Sequence, residues 1–364
     1  HEQGATHEAE GYAKSSGKLG VALVTSGPGA TNAITWIADA NADSVPMLVF
    51  TGQVATPGIG KDAFQEADII GVTMPITKYN YQIRETQDIP RVITEAIHIA
   101  TTGRPGPVVI DLPKDIAAQE VAYINDTTID LPSYHPTVEP NAKQLKKIVE
   151  LLAKKKRPLI LVGGGVNYSN GNLALTQFAE KYQIPVVSSL LGLGAMPVEN
   201  PLFLGMGGMH GSYAANMALA ETDYLINFGS RFDDRLASNP SLFLKEAKVA
   251  HIDIDPAEIG KIVKTDLPVV GDAKRALEIL LTFDAPATDF SKWVSQVQDN
   301  AQRAPYSYEP EPNFNKPQEV IKLIGELTNG DAIIVTDVGQ HQMWAAQWYP
   351  YKSNRQLMTS GGLG

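Results

Sequence analysis

Leu159-Ile160-Leu161-Val162-Gly163-Gly164-Gly165 is a short apolar run that ends in three glycines. An apolar run of this length, closed by a turn signal, reads as a strand buried on both faces, and such strands belong to parallel sheets. The pattern recurs on either side. Upstream it appears at Val21-Ala22-Leu23-Val24, Met47-Leu48-Val49-Phe50 and Val108-Val109-Ile110-Asp111-Leu112. Downstream it appears at Val186-Val187, Tyr224–Phe228, Val249–Ile254 and Val269-Val270. Helical spacings separate these runs. Glu2–Ser16 has a narrow face of Ala5, Ala9, Tyr12 and Ala13, with Gly17 as its stop. Further helices are expected through Trp36 and Ile37, near Phe64–Ile70, and over Pro90–Thr101, Lys143–Lys154 and Lys274–Leu281. Apolar strands alternating with helices predict an α/β protein of consecutive doubly wound parallel sheets.

The alternation lapses twice. Residues 114–140 are polar and punctuated by Pro132, Pro136 and Pro140. A second proline-rich region holds Pro305, Pro310, Pro312 and Pro317. These lapses predict a first domain over 1–118, a linker over 119–140, a middle domain over 141–283, a second linker over 284–315 and the start of a third domain over 316–364. The third opens with helix Gln318–Leu327 and strand Ala332–Thr336.

Composition removes several classes of function. The chain has 364 residues, with 30 Lys and Arg against 40 Asp and Glu, a net charge of −10, which argues against a nucleic-acid binder. There is no cysteine, so disulfides, thiolate metal sites and cysteine nucleophiles are out. No apolar run approaches the roughly 18 residues of a membrane span. No GxGxxG follows a strand, and neither a P-loop nor a GxSxG motif occurs. The seven histidines show no HExxH pattern, so His1, His7 and His210 first read as structural or surface residues.

Three glycine-containing loops follow strands: Ser26-Gly27-Pro28-Gly29-Ala30-Thr31-Asn32, Gly163-Gly164-Gly165, and Asp337-Val338-Gly339-Gln340-His341. In open α/β sheets ligands bind outside the carboxyl ends of strands, although each loop alone reads equally as a tight turn that needs glycine. Gly229-Ser230-Arg231-Phe232-Asp233-Asp234-Arg235 is richer. Two Arg and two Asp follow an apolar strand directly, either as a solvated charge cluster or as a grip for phosphate or a ring system.

The start of the chain, His1-Glu2-Gln3-Gly4-Ala5 with Ala9-Glu10-Gly11-Tyr12-Ala13, resembles the glutamate helix of thiamine-diphosphate enzymes. Val24–Asn32 resembles the next loop of that superfamily. Asp62-Ala63-Phe64-Gln65-Glu66-Ala67-Asp68, Arg231-Phe232-Asp233-Asp234-Arg235 and Gly339-Gln340-His341-Gln342-Met343-Trp344-Ala345-Ala346-Gln347 are similar to the catalytic subunit of acetohydroxyacid synthase, also called acetolactate synthase. The resemblance runs through the whole chain in the family's order. It implies an internal portion of such a subunit: most of a pyrimidine-binding domain, a flavin-binding middle domain and the start of a diphosphate-binding domain. It places the family's Gly-Asp-Gly metal segment, and so the Mg²⁺ ligands, beyond Gly364. Ala55 departs from the proline frequent in relatives.

The resemblance further implies decarboxylation of pyruvate and carboligation to pyruvate or 2-ketobutyrate, giving 2-acetolactate or 2-aceto-2-hydroxybutyrate. Glu2 matches the catalytic glutamate, whose carboxyl meets the cofactor's aminopyrimidine and is expected to have a raised pKa. Pro28, Asn32, Gly339, Gln340, His341 and Gly364 match positions around thiamine diphosphate. Phe64, Gln65 and Lys114 match the substrate pocket. Arg104, Gly163, Gly164, Gly165, Leu190, Leu191, Met209, His210, Gly211, Gly229, Arg231, Asp233, Arg235, Asp253, Ile254, Asp272 and Ala273 match positions around FAD, which does no net redox in the reaction. The family pattern also implies a cytoplasmic homodimer or tetramer with active sites shared between subunits, and a possible regulatory small subunit. A pyruvate oxidase or decarboxylase relative, and a cofactor-binding fragment without turnover, remain as alternatives.

Overall fold

Helix α1 (Glu2–Ser16) starts where the His1 imidazole accepts the Gln3 N–H at 3.2 Å. It ends at Gly17, whose φ of 72° lets its N–H reach the Ala13 carbonyl. Thr6, Ala9, Glu10, Ala13 and Lys14 form its buried face. Ala5 and Tyr12, expected on that face, are exposed instead. The helix is rotated so that Glu10 and Lys14 turn inward, 2.8 Å apart.

The computed structural model describes residues 1–122 and 128–364. It divides into two compact units, His1–Pro136 with Ser360–Gly364, and Thr137–Thr359. In the first, α1 is followed by β1 (Gly20–Val24), α2 (Pro28–Asn32), α3 (Ile34–Asp43), β2 (Met47–Gln53), α4 (Ile69–Thr73), β3 (Tyr79–Gln82), α5 (Ile89–Thr101), β4 (Pro107–Pro113) and α6 (Lys114–Ala117). The sheet order is β1-β2-β4-β3, and every pair is parallel. Strand β1 is an edge strand. Its Gly20 and Ala22 face inward, whereas Leu23 is 72% exposed, so this run is half-buried where full burial was expected.

The helix expected near Phe64–Ile70 begins only at Ile69. The Asp68 carboxylate caps it by accepting the Gly71 N–H at 2.9 Å. Before it, the Glu66 carboxylate accepts the N–H groups of Gly60, Lys61 and Ala63. With its donors satisfied by a side chain, the segment gains little from coiling into a helix.

The second unit contains α7 (Ala142–Leu152), β5 (Pro158–Val162), α8 (Gly164–Tyr168), α9 (Asn172–Tyr182), β6 (Val186–Ser188), β7 (Phe203–Met206), α10 (Tyr213–Glu221), β8 (Tyr224–Phe228), β9 (Lys248–Asp253), β10 (Leu267–Val270) and α11 (Ala273–Leu281). Its parallel sheet has the order β10-β9-β8-β5-β6-β7. Numbered within the sheet, that is the 3-2-1-4-5-6 winding of dinucleotide-binding folds, with its switch point between β5 and β8. Strand β7 has no counterpart in the sequence-based expectation.

Part of the expected linker over 119–140 falls on residues 123–127, outside the described residues. The expected linker over 284–315 carries a helix, α12 (Ser291–Arg303). It packs on α10 through Trp293 and Val297, and the Trp293 indole N–H donates to the Pro158 carbonyl at 2.8 Å. Most of α12 is polar, which is why its sequence resembles a linker. After it come α13 (Pro317–Leu327), β11 (Ile334–Val335), α14 (Gln340–Trp348) and β12 (Leu357–Met358), with β11 and β12 paired in parallel. Ala346, Tyr349 and Tyr351 share a core with Leu193, in the loop after β6, and Met206, at the end of β7. Among the described residues no helix is long and apolar enough to cross a membrane.

If α12 belongs to the middle core, Trp293→Ala should cost about 3–5 kcal/mol of stability in urea denaturation, the usual range for a buried aromatic. A loss under about 1 kcal/mol would show that α12 only rests on that core.

Candidate functional site

Glu2 opens α1, and Asn32 closes α2. The Asn32 amide donates to the Glu2 carboxylate at 3.1 Å. Pro28 begins α2, and a Cβ on Gly29 would lie 3.5 Å from the same carboxylate. Glu2, Pro28 and Asn32 are therefore gathered. The Glu2 backbone N–H first, and the Asn32 amide second, hold the carboxyl below the usual glutamate range. This is the reverse of the expected raised value. The carboxyl is open to solvent in this chain, so the cost of burial is too small to offset the two donors.

The loop after β2 meets the same turn. Gln65 sits at a φ of 63°, and a Cβ on Gly27 (φ 57°) would lie 2.7 Å from the Gln65 carbonyl oxygen. Glycine is required there by close backbone approach as well as by conformation. Phe64 is 89% exposed. Lys114 opens α6, and its neighbour Asp115 accepts both the Thr56 N–H at 2.9 Å and the Thr56 hydroxyl. Those bonds hold Asp115 below its usual range, and α6 is thereby tied to the loop.

A third group lies on the buried side of α1. The Lys14 ammonium is 2.8 Å from Glu10, 2.9 Å from Asp43 and 3.5 Å from Asp39. The three carboxylates lie within 4.8 Å of one another, close enough for a metal ion, but Lys14 already supplies the positive charge. Ser360 donates its hydroxyl to Asp39 at 2.5 Å, and the Gly361 N–H donates to Asp43 at 2.9 Å. The tail to Gly364 thus docks on α3, and the Gly364 N–H bonds the Ser360 hydroxyl.

In the second unit the carboxyl ends of the strands carry most of the second expected set. At the switch point Gly163 and Gly165 pack on Gly229: a Cβ on Gly163 would lie 2.1 Å from the Gly229 carbonyl oxygen. Arg231 follows, with no ion pair among the described residues, while Arg235 lies 3.7 Å from Asp234. Phe232, at a φ of 57°, buries its ring 5.3 Å from His251. A bulky residue in this conformation is strained. Asp233 accepts the N–H groups of Arg235 and Leu236 and shapes the turn.

The Met209 N–H donates to the Arg235 carbonyl at 2.8 Å, and a Cβ on Gly208 would lie 2.4 Å from that oxygen. Met209, His210 and Gly211 therefore join Arg231, Asp233 and Arg235. Leu190 and Leu191 follow β6, Asp253 ends β9 with Ile254 just after it, and Asp272 caps α11 before Ala273. The buried Ser188 hydroxyl at the end of β6 has no partner. Two guanidinium groups, carboxylates, glycine turns and an orphaned hydroxyl along one Rossmann edge are a chemically suitable set for a flavin dinucleotide.

Two expected groupings draw on residues of both units. Arg104 lies in the first unit, where it donates to the Ser44 hydroxyl at 2.8 Å at the end of α3. Gly339, Gln340 and His341 start α14 in the second unit, whereas Glu2, Pro28, Asn32 and Gly364 lie in the first.

These features match known families. Residues 1–72 match the N-terminal TPP-binding domain of thiamine pyrophosphate enzymes, and residues 145–280 match their central domain. The chain belongs to the thiamine pyrophosphate enzymes. Within them it is similar along its whole length to acetolactate synthase large subunits: 64% identical to that of Lactococcus lactis, 47% to that of Corynebacterium glutamicum and 44% to isozyme 3 of Escherichia coli. It spans 63%, 59% and 65% of those relatives' lengths, respectively.

The residues missed by sequence reading are the Lys14 cluster and a buried carboxylate, Asp111. Glu10 and Lys14 are four apart on one helix, as are Asp39 and Asp43 on another, and that doubled spacing is the available signal. Burial raises the Glu10 carboxyl to about 8, against the pull of Lys14 and with reinforcement from Asp39. The folded protein then keeps a proton that the unfolded chain loses near 4.5. Glu10 should therefore lower stability progressively as pH rises from about 4.5 to about 8, with no further loss above. The melting-temperature advantage of Glu10→Gln over wild type should grow across that window. An advantage independent of pH would refute the retained proton.

Proposed function

We propose that this chain is part of a thiamine-diphosphate-dependent carboligase. The enzyme decarboxylates pyruvate and joins the remaining two-carbon unit to a second 2-keto acid. Pyruvate as acceptor gives 2-acetolactate and 2-ketobutyrate gives 2-aceto-2-hydroxybutyrate, in branched-chain amino acid biosynthesis. The carrying observation is the Glu2 carboxylate held by Asn32 beside a glycine turn on which Gln65 also packs. The names of the similar large subunits support the same reading.

When bound, thiamine diphosphate supplies an electron sink for the decarboxylation. Glu2 holds and returns a proton at the aminopyrimidine side, with Asn32 fixing its carboxylate and Pro28 shaping the turn. Gly339, Gln340, His341 and Gly364 serve the diphosphate side. Phe64 and Gln65 form the mouth through which the keto acids pass, and the Lys114 ammonium draws their carboxylates. FAD occupies the carboxyl edge of the middle domain, 141–283, in a structural role. Its contacts are Gly163, Gly164, Gly165, Leu190, Leu191, Met209, His210, Gly211, Gly229, Arg231, Asp233, Arg235, Asp253, Ile254, Asp272 and Ala273, and Arg104 is assigned to it through the family resemblance. Mg²⁺ accompanies the cofactor, and the family resemblance assigns its ligands to the Gly-Asp-Gly segment. The assembly is a cytoplasmic homodimer or tetramer with shared sites, able to take a regulatory small subunit.

In the complete protein, Glu2→Gln should lower acetolactate formation by about 10²–10⁴, the range of general acid–base catalysis, while the fold survives. Activity within twofold of wild type would remove Glu2 from the mechanism. Acetate, acetyl phosphate or acetaldehyde as the main product would favour an oxidase or decarboxylase. Arg231→Ala should weaken flavin binding about tenfold in absorbance titrations, as expected for a lost charged hydrogen bond. A purified wild-type protein that neither carries nor takes up FAD would rule out the flavin.

A further inference from the structure

We propose that Asp111 is a positioning residue: by fixing the Gln53 amide it closes the neck of the loop that carries Phe64 and Gln65, and so sets how well the keto acids are held. This rests on the carboligase reading above.

The placement follows from strand register. On β4, the strand between β2 and β3, Asp111 is paired with Thr51 on one side and Gln82 on the other. It is 0% exposed. Its carboxylate accepts from three neutral donors: the Thr51 hydroxyl at 2.8 Å, the Gln82 amide at 2.9 Å and the Gln53 amide at 3.2 Å. Burial pushes this carboxyl up, and the three donors pull against that shift. An apolar side chain would fill such a site at less cost, so stability alone is a poor account of a carboxylate there.

Gln53 shows what the carboxylate controls. Besides bonding Asp111, its amide nitrogen donates to the Ala67 carbonyl at 2.9 Å, and its amide oxygen accepts the Val54 N–H at 2.9 Å. Val54 opens the loop, and Ala67 closes it. One side chain therefore ties the two ends together, and only one orientation of its amide can do so. A flipped amide would aim its oxygen at both the Asp111 carboxylate and the Ala67 carbonyl, and its N–H₂ at the Val54 N–H. Asp111 reinforces the orientation that Ala67 and Val54 already favour, because a carboxylate only accepts.

Beyond the neck, Glu66 braces the loop internally and Asp115 of α6 holds its Thr56 end, so a shift at Ala67 is passed through the neighbouring Glu66 to the Lys61–Ala63 stretch. Two residues before Ala67, the Gln65 backbone bears on Gly27, and Gly29 of that turn faces Glu2. Asn at position 111 could donate to a flipped Gln53 and would remove this share of the enforcement with little change in volume, leaving only that of Ala67 and Val54.

The test uses the complete protein with bound cofactors. Asp111→Asn should raise the KM for pyruvate about tenfold, the value of a hydrogen bond or so, and leave kcat within about threefold. Gln53→Ala should do the same, and the double variant should be no worse than Gln53→Ala alone, because Asp111 acts through Gln53. Thr51→Val, which removes another bond to Asp111 but spares Gln53, should keep the wild-type KM. An unchanged KM in folded Gln53→Ala, additive effects in the double variant, or an equal KM rise in Thr51→Val would each overturn the proposal. Should Asp111→Asn fail to fold, the Gln53→Ala and Thr51→Val comparison still decides. A wild-type protein that makes no acetolactate would instead defeat the carboligase reading.

Discussion

Every strand pairing in the two main sheets is parallel, and the rest of the molecule follows from that constraint. A parallel strand cannot return through a tight turn, so each connection must cross over the sheet, usually as a helix. All strands then end at one edge. In the first unit that edge collects the turn after β1, the loop after β2 and the Asp111 end of β4. In the second it collects the glycine turns, Arg231 and Asp253. Residues far apart in sequence become neighbours there because the backbone allows no other exit.

At the switch point of the middle sheet this constraint becomes steric. The loops leaving β5 and β8 pass so closely that a methyl group on Gly163 would overlap the Gly229 carbonyl. The contact holds the two loops in a fixed relation, and the Arg231–Arg235 turn is built on it. Phe232 adopts a left-handed backbone next in line, and burial of its ring against His251 and Phe243 offsets the strain. The guanidinium groups on either side of Phe232 inherit their placement from backbone packing. The RFDDR string could therefore be singled out from the sequence, while the reason for its rigidity could not.

The alternation of strand and helix was legible because it rests on local periodicity. Leu159–Val162 and Tyr224–Phe228 are buried throughout, as their composition demands. Where tertiary pairing decides, local reading failed. Helix α12 buries little besides Trp293 and Val297, so its polar remainder resembled a linker. The Lys14 cluster went unread, because the pairing of Lys14 with Glu10, Asp39 and Asp43 depends on how α1 meets α3. Asp111 stood inside an apolar strand, and nothing in the sequence told of its partners on two neighbouring strands. Glu2 and Asn32 were found through resemblance, and their hydrogen bond is a fact of the fold.

Glu2 shows how one carboxyl can be set by two opposed forces. Hydrogen bonds to the charged form lower its pKa, and loss of water raises it. In this chain the donors prevail because solvent reaches the carboxyl, and Glu2 stays ionised. Covering it by a partner surface and an aminopyrimidine ring would leave the Asn32 bond in place while removing the water, which moves the balance toward the protonated acid. The proposed shared site needs that direction of change, since a glutamate that hands a proton to a ring nitrogen and takes it back must have a pKa close to that of its partner. The half-buried Glu2 beside Asn32 already has the hydrogen bond that such a site would keep.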